Sequence, residues 1–230
     1  MKPIKLTFIL ATTFTSAAVA SECAQTVLDA QLNQSWRYAV SYQGMSTEAE
    51  RLLSYESGQW RLQQAMSLLI VSLNEESRSV LEGSILSTRS YLKEQKGLGA
   101  RTTRINVDSA TGMVNTEYKG KAGSYSAELP LSDQLTHSLQ IQIDRNCAVD
   151  DQLLEYPLVG RSGVKNHTYR FQGLENLTSP WGELLAERWQ RESGDVRDTL
   201  WLAPDRNFAL IRVEHVEKGE LSSLQLTQVQ

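Results

Sequence analysis

The residues of this chain that could carry out catalysis are few and widely spaced. Its three histidines are His137, His167 and His215, and a hydrolase would need one of them to meet a serine or a carboxylate in one cleft. No G-x-S-x-G elbow is present, and the segment 160–163 (Gly-Arg-Ser-Gly) has the wrong spacing for one. We expect packed or surface histidines, so a hydrolase is the least favoured alternative.

The sequence also lacks the motifs of metal sites and phosphate sites. Asp144, Asp150 and Asp151 cluster, but they lack the alternating spacing of a calcium loop and are explained by a solvated acidic turn. Gly97 and Gly99 are not followed by the Lys-Ser/Thr pair of a phosphate-binding loop. The sequence therefore predicts no metal, no cofactor and no catalytic residue.

Four cations stand close together in an otherwise acidic chain: Lys93, Lys96, Arg101 and Arg104. Such a group can bind an anionic component such as a lipid phosphate or a glycan carboxylate. A solvated loop explains the same charges. Both interpretations stay open.

The two cysteines, Cys23 and Cys147, predict a disulfide if the chain folds in an oxidising compartment. It would close a loop of about 120 residues, for which the chain-entropy relation gives at most roughly 4–5 kcal/mol. A reactive thiol is less favoured, because there is no CxxC motif and neither cysteine has a histidine near it in sequence.

Aromatic residues offer a second binding hypothesis. They can line an apolar cavity that carries a lipid, or they can simply pack in a core. The five tryptophans are Trp36, Trp60, Trp181, Trp189 and Trp201.

The elements that must position these residues are predicted mainly as strands. From Trp36 to Tyr42 apolar and polar residues alternate with a period of two. Such alternation is typical of antiparallel strands with one buried and one wet face. It recurs around Trp60, Ile105, Val114, Tyr125, Tyr169, Ile211 and Leu224.

Glycine-containing turns separate these segments, which predicts an all-β domain. No linker or internal repeat divides residues 21–230, so we expect one domain there. Its architecture is predicted as a single curved antiparallel sheet or a barrel-like domain, with strand number and order left open.

One helix interrupts the pattern, at about residues 132–145. Leu135, Leu139 and Ile143 recur every four residues and form one apolar stripe. Ser132 is the predicted cap. We expect this helix to plug or cover one opening of the sheet; a partner-binding helix is the alternative.

The first twenty residues predict export. Lys2 and Lys5 form a positive start, an uncharged stretch follows, and the segment 18–20 (Ala-Val-Ala) fits the signal-peptidase motif. We therefore predict a cleavable signal peptide, residues 1–20. The uncharged stretch is about 15 residues long, too short for a membrane anchor, which needs about 20.

The mature chain is predicted to be soluble and acidic. Glu22, directly before Cys23, breaks the motif that a lipidated cysteine requires. The net charge is −4, and removing Lys2 and Lys5 leaves about −6. A protein of this charge has no broad attraction for nucleic acid.

Short motifs in a fixed order resemble a known bacterial family, the domain of unknown function 3108. They lie at 38–44 (YAVSYQG), 133–139 (DQLTHSL), 169–175 (YRFQGLE), 179–182 (SPWG) and 199–205 (TLWLAPD). The resemblance implies an exported, mostly β protein of Gram-negative bacteria with no established activity. It implies no catalytic residues. A proline usual after the fifth motif is missing here.

Together these observations predict a periplasmic, noncatalytic envelope protein. We expect it to bind a lipid or another envelope component in a barrel-like interior, or to support the envelope through such contacts. A protein–protein interaction module of the envelope is the first alternative, and a hydrolase of envelope polymers is the second.

Overall fold

In a computed structural model of the chain, residues 15–147 and 152–230 are described. Residues 1–14 of the predicted signal peptide lie outside the described residues, as do Asp150 and Asp151. Neither of the two helices in the described part is both long and apolar enough to span a bilayer.

The described residues form fourteen strands. Their bounds are β1 (Ser35–Tyr42), β2 (Met45–Glu56), β3 (Gln59–Leu68), β4 (Val71–Glu82), β5 (Ile85–Gly97), β6 (Arg101–Val107), β7 (Met113–Tyr118), β8 (Lys121–Ser126), β9 (Leu153–Val159), β10 (Val164–Ser179), β11 (Gly182–Ser193), β12 (Val196–Ala203), β13 (Ala209–Glu217) and β14 (Glu220–Val229).

All fourteen strands belong to one antiparallel sheet, which confirms the predicted fold class. Its order is β8-β7-β6-β5-β4-β3-β2-β1-β14-β13-β12-β11-β10-β9. Each half is a meander, and the halves join where β1 pairs with β14, from Trp36 opposite Val229 to Tyr42 opposite Ser222.

The two outer strands, β8 and β9, are brought together by a connecting segment. Thr88 on β5 donates its backbone N–H to Leu131, and Val159 on β9 donates to Ser132. On β8, the Tyr125 hydroxyl donates to the carbonyl of Gly160, which follows β9. The sheet therefore curves until its edges are bridged, in a barrel-like manner.

The predicted period-two alternation accounts for the core. On β1, Trp36, Tyr38 and Val40 are buried, whereas Tyr42 is exposed at the end of the strand. Three apolar clusters form the core: one joins the first half of the sheet with both helices, one joins β1 and β2 with β10–β14, and one joins the second of these helices with β9–β13.

Two helices lie in the described part, where the sequence predicted one. α1 (Thr15–Asp29) was missed, although Ala24, Val27 and Leu28 repeat at helical spacing and are buried. The predicted signal peptide, residues 1–20, ends inside this helix. α1 begins before the predicted cleavage point, and its packed residues follow that point.

α2 (His137–Cys147) begins five residues later than predicted. Leu135, Leu139 and Ile143 are buried as expected. The polar residues of the helix, such as Gln140 and Gln142, are buried as well, because α2 contacts α1, β5, β9 and β13. The helix therefore plugs the curved sheet instead of covering it with one face.

Asp133, not Ser132, holds the start of this helix. Its carboxylate Oδ1 accepts the backbone N–H groups of Leu135 and Thr136 at 2.8 and 2.9 Å. Oδ2 accepts the hydroxyls of Ser77 and Thr88 from the sheet. The buried carboxylate thus ties the helix to β4 and β5.

Alternate turns of the meander lie at opposite ends of the sheet. We call one the α1 end, because α1 leads directly into β1 there; its turns are 57–58, 83–84, 108–112, 180–181 and 204–208. The other is the hairpin end, with turns 43–44, 69–70, 98–100, 119–120, 160–163, 194–195 and 218–219.

Candidate functional site

The four predicted anion-binding cations occupy β5 and β6 but do not share one face. Lys93 lies two residues from buried Tyr91 on the inner face, and Arg101 shares that face because it pairs with Gln95. Lys96 and Arg104 lie on the outer face. Lys93 therefore lies apart from the other three, which line one shallow groove near the start of β6.

Two of the four cations are also ion-paired. Lys93 Nζ lies 2.9 Å from Glu75, whose other oxygen accepts the Tyr91 hydroxyl at 2.7 Å. Arg104 lies 3.3 Å from Glu117. Lys96 and Arg101 are exposed and form no ion pair within the described residues.

The predicted disulfide is present. Cys23 on α1 and Cys147 at the end of α2 are joined, with Cα atoms 5.7 Å apart and a sequence separation of 124. Since α1 leads into β1, the bond fastens the start of the sheet to the helix inside it. The residues play a structural role at the α1 end.

The structure brings His137 and His167 together. Their ring centroids are 6.0 Å apart, and His137 stacks on Tyr169 at 6.2 Å. The His137 Nε2 atom lies 3.3 Å from the Tyr169 hydroxyl. Burial lowers the pKa of both imidazoles to about 4, and for His137 charge on His167 adds to the effect.

His215 lies in a neighbouring polar row on β11, β12 and β13. Its Nδ1 is 2.5 Å from Asp198, and Asp198 also accepts from the Arg191 guanidinium at 2.5 and 2.8 Å. His137 and His167 therefore belong to a packed aromatic group with Tyr156 and Tyr169, in which the His137 Nε2 atom contacts the Tyr169 hydroxyl. This geometry adds no support to the hydrolase alternative.

The predicted acidic turn is described only in part. Asp144 lies on α2 and accepts hydrogen bonds from Tyr156 at 2.8 Å and from Gln140 at 2.7 Å. Asp150 and Asp151 are outside the described residues. Asp144 therefore belongs to the packing of α2 against β9.

A cleft at the α1 end gathers side chains that suit a ligand. Trp36 starts β1, Trp181 sits in the β10–β11 turn and Arg206 in a short 3-10 helix, Pro204–Arg206. The cleft encloses about 310 Å³. Its remaining walls are Ala30, Gln31, Gln34, Gln142, Asp205, Asn207 and Val229.

Aromatic rings form one side of this cleft. Trp36 and Trp181 meet edge to face, with centroids 6.3 Å apart. The Arg206 guanidinium carbon lies 5.3 Å from the centre of the Trp181 ring. The amide side chains of Gln31 and Gln34, which follow α1, and of Gln142 on α2 also line the cleft. The cleft thus combines an apolar wall with hydrogen-bonding groups.

Two buried polar atoms at the cleft lack partners. The indole Nε1–H of Trp36 donates no hydrogen bond and the Oε1 of Gln142 accepts none, although the residues are only 8% and 4% exposed. Both residues also line a void of about 10 Å³ directly behind the cleft, room for about one water molecule. An unpartnered donor and an unpartnered acceptor are therefore carried by residues that line both the cleft and this void.

Sequence reasoning noted the tryptophans but missed this site. Trp36 and Trp181 lie far apart in sequence, and only the long β10–β11 hairpin brings them together. Gln142 lies within the predicted helix, but the apolar stripe of that helix does not indicate that this amide is buried. The one available signal was the aromatic content.

Comparison with known proteins supports the fold. A β-barrel-like protein of the domain of unknown function DUF1849 from Brucella abortus has a similar structure, with a TM-score of 0.56 at 7% sequence identity. The similarity covers 87% of this chain and 98% of that one. At this identity it extends to the fold alone.

Two further solved structures overlap more loosely, each with a TM-score of 0.32 and 12% identity. One is described as a lipoprotein from Parabacteroides distasonis, and the other as an exported protein with a YmcC-like fold from Bacteroides fragilis; they cover 86% and 87% of this chain and 95% and 96% of their own. No family model matches the chain, and no curated protein matches it in sequence. The resemblance to the domain of unknown function 3108 therefore stays a prediction.

Proposed function

We propose that this chain is a noncatalytic, periplasmic protein that binds a hydroxyl-rich component of the cell envelope, such as a glycan, in the cleft between Trp36 and Trp181. The compartment follows from the predicted signal peptide. The disulfide between Cys23 and Cys147 also suits an oxidising compartment.

The observation that carries the proposal is the pair of unpartnered atoms, Trp36 Nε1 and Gln142 Oε1. A buried polar group without a partner costs about 1–3 kcal/mol, so two at one place indicate a site that something completes. A hydroxyl accepts one hydrogen bond and donates another, which matches an indole N–H beside an amide oxygen.

The residues that line the cleft suit the same class of ligand. Sugar rings present flat C–H faces and a rim of hydroxyl groups. The faces fit the Trp36 and Trp181 rings, and the hydroxyls fit amides such as Gln31 and Gln34. Asp205 beside Arg206 leaves the cleft close to neutral, which suits a ligand with little net charge.

A binding titration tests the proposal, with soluble peptidoglycan fragments and deacylated lipopolysaccharide oligosaccharide as probes. We expect the unaltered protein to bind at least one of them, and Trp36→Phe and Gln142→Met each to weaken binding by about tenfold. Trp60→Phe, in a different core cluster, is the matched control and should bind normally.

Other outcomes would overturn the proposal. If none of the saccharide probes binds, or if both cleft variants bind as tightly as the unaltered protein, the cleft is not the site. If a monomeric phospholipid binds instead and Trp36→Phe has no effect, the lipid interpretation of the interior replaces it.

A further inference from the structure

The hairpin end carries a group of exposed apolar side chains that the cleft does not explain. Leu69, Ile70 and Leu98 are 86, 73 and 71% exposed. They lie on two adjacent turns, because Val71, which follows the first turn, pairs with Gly97, which precedes Leu98. The two turns are so close that a Cβ atom added to Gly97 would lie 1.7 Å from the Ile70 carbonyl oxygen. We call these three residues the hairpin tip.

The residue types of the 69–70 turn are unusual for a hairpin. In four other two-residue hairpin turns, both turn residues have positive φ and the second one is glycine. These turns are 43–44, 57–58, 119–120 and 218–219. Leu69 has a φ of 51° and is followed by Ile70. A bulky residue is disfavoured in this region, where Asn or Gly is preferred. Local folding therefore does not explain two large apolar residues here.

Exposed cations surround the tip. Lys96 precedes the Leu98 turn, Arg101 follows it, and Lys119 lies in the next turn of the same end. All three line one shallow groove together with Arg104. None of the three forms an ion pair with another described residue, whereas Arg104 is bound to Glu117. The hairpin tip thus has a positive collar on a chain of net negative charge.

We propose that the hairpin tip docks on an anionic phospholipid bilayer. Leu69, Ile70 and Leu98 enter the boundary between headgroups and acyl chains, while the collar binds lipid phosphates. Apolar side chains flanked by lysine and arginine are the pattern of peripheral membrane contacts, because the long cationic side chains reach the headgroups. Charge complementarity with anionic lipid strengthens the contact.

This contact also orients the molecule. The hairpin tip and the Trp36–Trp181 cleft lie at opposite ends of the strands. Docking at the tip therefore turns the cleft away from the bilayer, towards the aqueous space. The docking proposal does not depend on what the cleft binds.

Vesicle flotation tests the proposal with vesicles of phosphatidylglycerol and phosphatidylethanolamine, and with phosphatidylcholine alone as the neutral control. We expect the full chain to float with the anionic vesicles, and Leu69→Asn/Ile70→Gly to reduce the bound fraction at least about fivefold. Lys96→Gln/Arg101→Gln/Lys119→Gln should remove the salt-sensitive part of binding. Leu174→Asn, an exposed leucine on β10, is the matched control and should not change binding.

The variants share the N-terminal segment of the unaltered chain, so differences between them report on the tip alone. Equal flotation of the unaltered chain and Leu69→Asn/Ile70→Gly would overturn the proposal, as would no flotation of the unaltered chain. If the unaltered chain instead forms dimers in sedimentation that the tip variant does not, the tip is a contact between copies and the membrane proposal is wrong.

Discussion

The two ends of the sheet are built in different ways. At the α1 end, α1 leads into β1 and the Cys23–Cys147 disulfide joins it to α2, whose start is tied to the sheet by the buried Asp133. At the hairpin end, short turns project into solvent, and the most exposed of them carries Leu69 and Ile70. The contrast indicates that fold stability depends on the first end, while the second can change its side chains at little cost.

The largest loss should follow from breaking the disulfide. Cys23→Ala/Cys147→Ala opens a loop spanning 124 residues, and the chain-entropy relation gives up to about 4–5 kcal/mol for such a loop. Urea unfolding of the variant checks this value. The unaltered chain treated with reductant should unfold at the same urea concentration. A loss below about 1 kcal/mol would show that noncovalent packing alone holds the α1 end.

Asp133→Ala should be the next most damaging change. It leaves the backbone N–H groups of α2 and the hydroxyls of Ser77 and Thr88 without their acceptor, at a cost of about 2–4 kcal/mol. Thermal and urea unfolding measure the loss. Asp195→Ala, in an exposed turn at the hairpin end, is the control and should stay within about 0.5 kcal/mol. Similar losses in both variants would remove the distinction between the ends.

Acid should weaken the packed part of the second half of the sheet. The pKa of His137 is lowered to about 4 in the folded chain, whereas an unfolded histidine has a pKa of about 6.5. Between these values the unfolded chain binds the proton and the folded chain does not. Stability is therefore full above pH 6.5 and falls as the pH drops towards 4, by up to about 3 kcal/mol for His137.

Urea unfolding at a series of pH values measures this slope, and His137→Phe should flatten most of it. His167, whose pKa is also lowered to about 4, accounts for part of the remainder. His215→Asn serves as the comparison, because the His215 side chain beside Asp198 is 43% exposed. If His137→Phe has the same slope as the unaltered chain, His137 is not held neutral by burial.

The smallest effect should come from the hairpin end. Leu69→Asn/Ile70→Gly places turn-forming residues where Leu69 has a φ of 51°, so the free energy of unfolding should stay equal or rise by up to about 1 kcal/mol. Urea unfolding of the same sample used for flotation gives the value. A loss of more than about 1 kcal/mol would mean that the tip packs on the fold and is not free to serve as a contact.

The sheet was predictable from the sequence because period-two alternation and turn glycines are local signals. Trp36, Tyr38 and Val40 are buried as that pattern requires, and the Cys23–Cys147 disulfide follows from the number of cysteines. Strand order was not predictable, because it depends on which distant segments pair. The pairing of β1 with β14, which joins the two halves, has no local signal.

The candidate site was less predictable for the same reason. Trp36, Gln142 and Trp181 come from three distant segments, and each one alone is explained by packing. The helical spacing of Ala24, Val27 and Leu28 was a readable signal, but it follows directly on a predicted signal peptide. Strand alternation places Lys93 and Lys96 on opposite faces, so Lys93 is separated from Lys96, Arg101 and Arg104, which line one groove. Anion binding by these cations stays a prediction.

Native mass spectrometry of the chain recovered from the periplasm, beside its Trp36→Phe variant, tests the central claim most directly. The account predicts a population carrying extra mass, identified as saccharide after extraction, that is depleted in Trp36→Phe but retained in Trp60→Phe. An unaltered chain recovered empty that stays empty after incubation with envelope glycans would contradict it, as would a bound apolar lipid that Trp36→Phe leaves in place.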